Sequence, residues 1–123
     1  MRRPPIRVLL VEDNDVYRES LELLLAMQGG LEVVGAVGSG TRAAAAAREL
    51  SANVVVMDFR LPGLDGAQAT RAVIGETGAA VVCLTAEASL EEREDVLAAG
   101  ASTLVEKGGS IESLVEAIHA AAG

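Results

Sequence analysis

Aromatic residues are almost missing from this 123-residue chain, which has one Tyr, one Phe and no Trp. A core must therefore be built from aliphatic side chains, and half of the residues are apolar, enough for one domain over residues 1–123. Positive charge is also scarce. The net charge of −8 argues against a domain that holds a nucleic-acid backbone, and it favours cationic, metallic or polar partners.

Cysteine and long apolar runs are scarce as well. Cys83 is the only cysteine, so no internal disulfide can form, and its apolar neighbours indicate a buried thiol in a reducing compartment. No apolar stretch approaches the ~20 residues that span a membrane. The apolar run after the basic start is too short for a signal peptide. We therefore expect a cytoplasmic protein with no membrane partner.

Strand and helix patterns alternate along the chain and make five βα units. The predicted strands cover 6–11, 31–37, 53–58, 79–85 and 102–107, and the predicted helices cover 16–27, 41–51, 66–75, 89–100 and 110–123. Near-continuous apolar strands are typical of a parallel sheet with helices on both faces. The expected fold is α/β: a doubly wound, flavodoxin-like sheet of five parallel strands in the order 2-1-3-4-5.

Polar side chains follow four of the predicted strands. Glu12 and Asp13 follow strand 1, Asp58 ends strand 3, Thr85 ends strand 4 and Lys107 ends strand 5. Because these carboxyl ends share one edge of a parallel sheet, we expect the side chains to converge. Clustered carboxylates repel one another, and Mg²⁺ relieves that repulsion through oxygen ligands. A metal, an ammonium and a hydroxyl together suit a phosphoryl group.

Asp58 is the best candidate for a phosphoryl acceptor, because a carboxylate can carry phosphorus as an acyl phosphate. It is the lone acid on the central strand, whereas Glu12 and Asp13 form a pair suited to a metal. We expect the Pro62–Gly63 turn to fix the backbone behind Asp58 and to direct the Arg60 carbonyl at the cation.

The motifs "LLVEDN", "VVMDFRLPGLDG", "LTA" and "LVEK" occur in this order at four strand ends. With them the chain resembles the receiver domain of bacterial two-component response regulators over essentially its whole length. "RLPGLDG" and "EKGGS" look most like the NarL/LuxR type, whose full-length members usually carry a C-terminal helix-turn-helix. We therefore expect an N-terminal receiver cut from a longer regulator, binding DNA only through that further domain.

The resemblance implies roles for individual residues. Asp58 would accept phosphate from a histidine kinase. Asp13, Asp58 and the Arg60 carbonyl would bind Mg²⁺ directly, and Glu12 would act through water. Thr85 would bond a phosphoryl oxygen, and Lys107 would pair with the phosphoryl group. The domain would phosphorylate and dephosphorylate itself rather than act on outside substrates.

The resemblance also implies an output: a shift in the face formed by helix 4, strand 5 and helix 5, with a homodimer as one outcome. Two residues depart from the family pattern. Leu104 stands where the family often has an aromatic residue that moves with the threonine, so a switch here must use packing. Gly108 follows Lys107 where many receivers have proline, and we expect a trans bond there.

Two alternatives stay open beside a phosphorylated receiver. One is a receiver-like dimerisation or interaction module that works without phosphate, which the intact acid set disfavours. The other is a metal-dependent phosphatase with an aspartyl nucleophile. Such enzymes typically have a second acid two residues after the first, where this chain has Arg60.

Two further predictions concern the site's surroundings. Arg60 lies two residues after Asp58 and Glu87 two residues after Thr85, so we expect their side chains to pair over the pocket and slow hydrolysis of the acyl phosphate. Helix 4 begins with a Ser89–Glu92 capping box. Its apolar face is interrupted, whereas helix 5 has an unbroken one, so we expect helix 4 to be the more mobile.

Overall fold

Strands and helices alternate through the computed structural model, which describes residues 3–61, 64–87 and 89–123. The strands are β1 (Ile6–Val11), β2 (Leu31–Val37), β3 (Val54–Asp58), β4 (Ala80–Thr85) and β5 (Thr103–Glu106). The helices are α1 (Asp15–Ala26), α2 (Ala43–Glu49), α3 (Gly66–Thr77), α4 (Leu90–Ala98) and α5 (Ile111–Ala122). Within the described ranges, no helix combines the length and the apolar content needed to cross a membrane.

All five strands run parallel in one sheet, in the order β2-β1-β3-β4-β5, which confirms the predicted topology. Alternate side chains of each strand enter two separate cores. Leu9 and Val11 pack with α2, α3 and α4 on one face, while Val8 and Leu10 pack with α1 and α5 on the other. Helices therefore cover both faces, which is why the central strands are apolar throughout.

The second helix is shorter than predicted. Residues 40–42 form a 3₁₀ turn in which the Ser39 side chain accepts a hydrogen bond from the Thr41 N–H, and α2 proper begins at Ala43. At the other end, Ser51 adopts a left-handed backbone with φ of 52°. The Arg7 guanidinium donates to the Leu50 carbonyl at 2.8 Å, which satisfies the end of the helix from a neighbouring strand.

Helix α3 is longer than predicted, and Gly75 does not end it. Gly75 lies inside the helix with open space around it, and the left-handed stop is Gly78, with φ of 73°. Its start is fixed by a capping box that the sequence reading missed, in which Asp65 and Gln68 bond each other's backbone N–H groups. The predicted helix ended at residue 75, two residues before the observed end at Thr77.

Helices α4 and α5 differ in how they are held. The predicted Ser89–Glu92 capping box is present at the start of α4, but its Leu90 and Leu97 are 73% and 47% exposed, and Val96 is its one buried residue. In α5 both Leu114 and Ile118 are buried. The difference agrees with the interrupted and unbroken stripes read from the sequence, and the greater mobility of α4 stays a prediction.

Candidate functional site

Three acidic side chains meet at the carboxyl edge of the sheet. Glu12 and Asp13 follow β1 directly and Asp58 ends β3, and the pairing of these strands places Val11 opposite Met57. One carboxylate oxygen from each acid lies within 4.8 Å of the others. Glu12 and Asp58 are 1% and 4% exposed, whereas Asp13 faces solvent. The structure thus brings together the three acids that the strand-end pattern placed at one edge.

Lys107 lies between the two buried acids. Its Nζ is 3.0 Å from Asp58 Oδ2, as a hydrogen bond, and 2.6 Å from Glu12 Oε1. The contact with Glu12 is an ion pair without hydrogen-bond geometry. Burial alone would lower the pKa of Lys107, but the two carboxylates outweigh it and the net shift is upward.

Backbone N–H groups engage the remaining oxygens of the buried acids. The Asn14 N–H donates to Glu12 Oε2 at 3.1 Å, and the Arg60 N–H donates to Asp58 Oδ1 at 3.1 Å. Asn14 also caps α1, because its side chain accepts a hydrogen bond from the Tyr17 N–H. Both buried carboxylates are therefore held by groups on either side, while Asp13 is exposed.

Thr85 completes the set of strand-end residues. Its carbonyl accepts the Lys107 N–H at 2.8 Å, so the threonine and the lysine are neighbours across β4 and β5. The residue is 1% exposed, and its hydroxyl has no hydrogen-bond partner within the described part of the chain. Buried hydroxyl groups are normally satisfied. The Thr85 hydroxyl is therefore an unsatisfied polar group at the strand end next to Asp58.

The predicted pairing of Arg60 with the Glu87 side chain is wrong. Arg60 Nη2 instead contacts the Glu87 carbonyl at 3.2 Å and Glu92 Oε1 at 3.3 Å. The reason is that Glu92 is already fixed at the start of α4 by Ser89, whose backbone N–H lowers the pKa of Glu92, with a further contribution from Arg60. The predicted Pro62–Gly63 turn lies outside the described residues.

Two contacts in the site were missed by sequence reasoning. Lys107 Nζ lies 4.9 Å from the centre of the Tyr17 ring, and the Arg18 guanidinium donates to the Glu12 carbonyl at 2.8 Å. Burial raises the pKa of Tyr17, although the nearby ammonium partly offsets this. The sequence could have predicted both contacts, because α1 begins two residues after Asp13 and its first turn must therefore lie close to the acid pair. Tyr17 also stands at an apolar position of the helical pattern, where packing alone would explain an aromatic residue.

Three further features that the sequence singled out are Leu104, Cys83 and the bond after Lys107. Leu104 is half-buried and packs against the core shared with α2, α3 and α4. Cys83 is buried in β4, as its apolar neighbours indicated. Burial, with the charge of Asp58 second, raises the pKa of this thiol to about 12. The bond after Lys107 is trans as expected, since the described residues contain no cis peptide.

The chain matches a family model described as response regulator receiver domain over residues 8–119. It is 38% identical to the response regulator GacA of Pseudomonas viridiflava over 115 residues, 93% of this chain and 54% of that protein. The chain thus spans between about a third and about a half of the length of the curated relatives it matches.

Solved structures agree with the sequence matches. The signal receiver domain of the response regulator NarL from Mycobacterium tuberculosis superposes with a TM-score of 0.91 and 27% identity, covering 98% of both chains. The response regulator domain of Thermotoga maritima CheB superposes with a TM-score of 0.87 and 27% identity, covering 96% of both chains. Regulators of several kinds therefore share this fold and its sequence pattern.

Proposed function

Because the chain belongs to the response regulator receiver family, we propose that it takes a phosphoryl group onto Asp58 from the phosphohistidine of a histidine kinase. One observation carries the proposal. A buried carboxylate at the end of β3 lies beside two further acids, an ammonium 3.0 Å away and an unpartnered buried hydroxyl at the neighbouring strand end. That combination suits a carboxylate that becomes an acyl phosphate.

The acid cluster also fits Mg²⁺. One oxygen of each of the three carboxylates lies within 4.8 Å of the others, and oxygen donors of this kind are the ligands that Mg²⁺ takes. Asp13 and Asp58 would hold the ion directly, with the Arg60 carbonyl. Glu12 would act through water, because both of its oxygens are already engaged by Lys107 and the Asn14 N–H. Bound there, the ion would neutralise charge on the phosphoryl oxygens.

The chain's own residues would then guide the transfer. An oxygen of Asp58 forms a bond to phosphorus while the bond from phosphorus to the donor's nitrogen breaks. Oδ2 is the favoured nucleophile, because it faces Lys107, whose ammonium remains beside the incoming phosphoryl oxygens. The Thr85 hydroxyl donates to another of those oxygens. The same site, entered by water, would release the phosphate.

We extend the proposal to the output. The motifs and the NarL receiver favour a NarL/LuxR-type regulator in which this chain is the N-terminal receiver and a helix-turn-helix lies beyond it. Movement of Thr85 would be passed to α4, β5 and α5 through packing, since Leu104 replaces the usual aromatic residue. The exposed Leu90 and Leu97 give α4 an apolar surface on which homodimer formation or partner contacts can change.

The test is incubation with acetyl phosphate and Mg²⁺, followed by intact mass and size-exclusion chromatography. We expect a gain of one phosphate, about 80 Da, that is lost in Asp58→Asn and without Mg²⁺. No gain in the wild type would refute the proposal. Dimerisation or partner binding that is unchanged by Asp58→Asn would favour the phosphate-independent interaction module instead.

A further inference from the structure

An aromatic ring lies beside the site's only lysine, on an element that the proposed chemistry does not use. Tyr17 is in the first turn of α1, where its N–H donates to the capping side chain of Asn14 at 2.9 Å. Its ring centre is 4.9 Å from Lys107 Nζ. We propose that Tyr17 is a positioning residue that holds the Lys107 ammonium against Asp58 for phosphoryl transfer. This inference rests on the proposed function.

The N–H of Lys107 is anchored on the Thr85 carbonyl, but the loosely packed segment that follows leaves the lysine side chain to be restrained by its own contacts. β5 ends at Glu106, and Lys107 is followed by two glycines, of which Gly108 has φ of 81° and open space around it. The lysine side chain is a flexible four-carbon stem with a compact charge. Glu12 and Asp58 attract the ammonium from one side. On the other side, the Tyr17 ring limits the movement of the ammonium.

The side chains around Tyr17 do not fill the space next to it. A largely apolar cavity of about 140 Å³ lies between α1 and the connection from β5 to α5. Tyr17, Leu21, Gly108, Gly109 and Leu114 are among the residues that line it. A smaller side chain at position 17 would enlarge this space, and the ammonium would gain room to leave the two carboxylates.

The ring face matters in this account, rather than the hydroxyl. A cation within about 6 Å of an aromatic centre is attracted by the negative ring face. Phenylalanine keeps that face and the bulk of the ring, whereas leucine keeps apolar character and loses the face. Tyr17→Phe and Tyr17→Leu therefore form a matched pair, and Lys107→Met supplies a background in which no ammonium remains to be positioned.

The experiment measures the rate at which the whole chain gains phosphate from acetyl phosphate at saturating Mg²⁺. We expect Tyr17→Leu to slow the rate about two- to fivefold. Tyr17→Phe should retain the wild-type rate, and Tyr17→Leu should have no further effect in the Lys107→Met background. Equal rates for wild type and Tyr17→Leu would overturn the inference. So would a slow Tyr17→Phe, or a Tyr17→Leu effect that persists without Lys107.

The two proposals fail in different ways. If the wild type gains no phosphate at all, the proposed function fails and takes the positioning role with it. If the wild type is phosphorylated and Tyr17→Leu gains phosphate as fast as Tyr17→Phe does, the positioning role alone fails. The contact itself has a separate readout, since Tyr17 is the single tyrosine of the chain. In the wild type the Lys107 ammonium lowers the pKa of Tyr17, so ultraviolet titration should show a higher Tyr17 pKa in Lys107→Met. An unchanged pKa would refute the contact.

Discussion

Replacing Lys107 by methionine tests whether the lysine neutralises the two buried acids. The substitution keeps an apolar stem and removes the charge that lies 2.6 Å from Glu12 and 3.0 Å from Asp58. Removing one partner of a buried ion pair costs about 3–5 kcal/mol. The lysine side chain is 22% exposed, so water screens part of this interaction. We therefore expect a loss near the lower limit, about 3 kcal/mol in the free energy of unfolding.

The assay is urea unfolding followed by circular dichroism, with a chelator present. A domain of this size loses about 1.5 kcal/mol per molar urea, so the midpoint should fall by about 2 M. Arg93→Met is the matched control, because it also removes one positive charge. Its Nη2 lies 3.9 Å from Glu106 Oε1, and the two side chains are 41% and 74% exposed, so the expected cost is about 0–1 kcal/mol.

Magnesium gives the second arm of this test. If the ion binds the same carboxylates, it should restore part of the stability lost in Lys107→Met, because a divalent cation replaces the missing ammonium. Equal, small losses in Lys107→Met and Arg93→Met would refute the reasoning that the buried acids depend on Lys107. A large loss that Mg²⁺ does not reduce would refute a shared site for the lysine and the ion.

Three other predictions use the same unfolding assay or amide exchange. Gly66→Ala should destabilise the chain by at least about 2 kcal/mol, because a Cβ there would lie 2.7 Å from the Phe59 backbone, whereas Gly75→Ala in the same helix should stabilise by about 0.5–1 kcal/mol. In Cys83→Val, the free energy of unfolding should fall less steeply with pH above pH 9 than it does in the wild type. Folding raises the pKa of the Cys83 thiol from 9.0 to about 12, so above pH 9 the thiol ionises in the unfolded chain but not in the folded one. The free energy of unfolding that the protonated thiol contributes is therefore complete below pH 9 and falls by about 1.4 kcal/mol per pH unit from there to pH 12. Amide exchange should be faster in α4 than in α5, and Arg60→Ala should increase it further in the first turn of α4.

Each of these predictions has a result that contradicts it. A neutral Gly66→Ala would mean that the loop after β3 yields easily and does not hold Asp58 in place. Identical pH slopes for wild type and Cys83→Val above pH 9 would show that the thiolate is not disfavoured by folding. Slower exchange in α4 than in α5 would remove the argument from its interrupted apolar face.

The topology and the meeting of the strand ends were predictable because both follow from backbone periodicity. Apolar strands such as 54–57 separate helical patterns, and right-handed crossovers leave few ways to arrange five such units. The carboxyl ends of parallel strands share an edge, so the positions of Glu12, Asp58 and Lys107 in the sequence were enough to place them together.

The details that could not be predicted depend on side-chain direction. Spacing placed Arg60 and Glu87 near the same pocket, but the guanidinium reaches the Glu87 carbonyl and the side chain of Glu92. The sequence could not show that Glu92, turned back by its capping box, would present an oxygen there. Tyr17 was missed for a similar reason, since an aromatic residue at an apolar helical position is usually explained by the core alone.

The most direct test of the central claim is to locate the phosphoryl group on the chain. After reaction with acetyl phosphate and Mg²⁺, borohydride reduction converts an acyl phosphate into a stable alcohol, and peptide mass spectrometry identifies the changed residue. The account predicts reduction at Asp58 alone, and only when Mg²⁺ was present. Reduction at Asp13 or Glu12, or labelling of Asp58 that is equally fast without Mg²⁺, would contradict it.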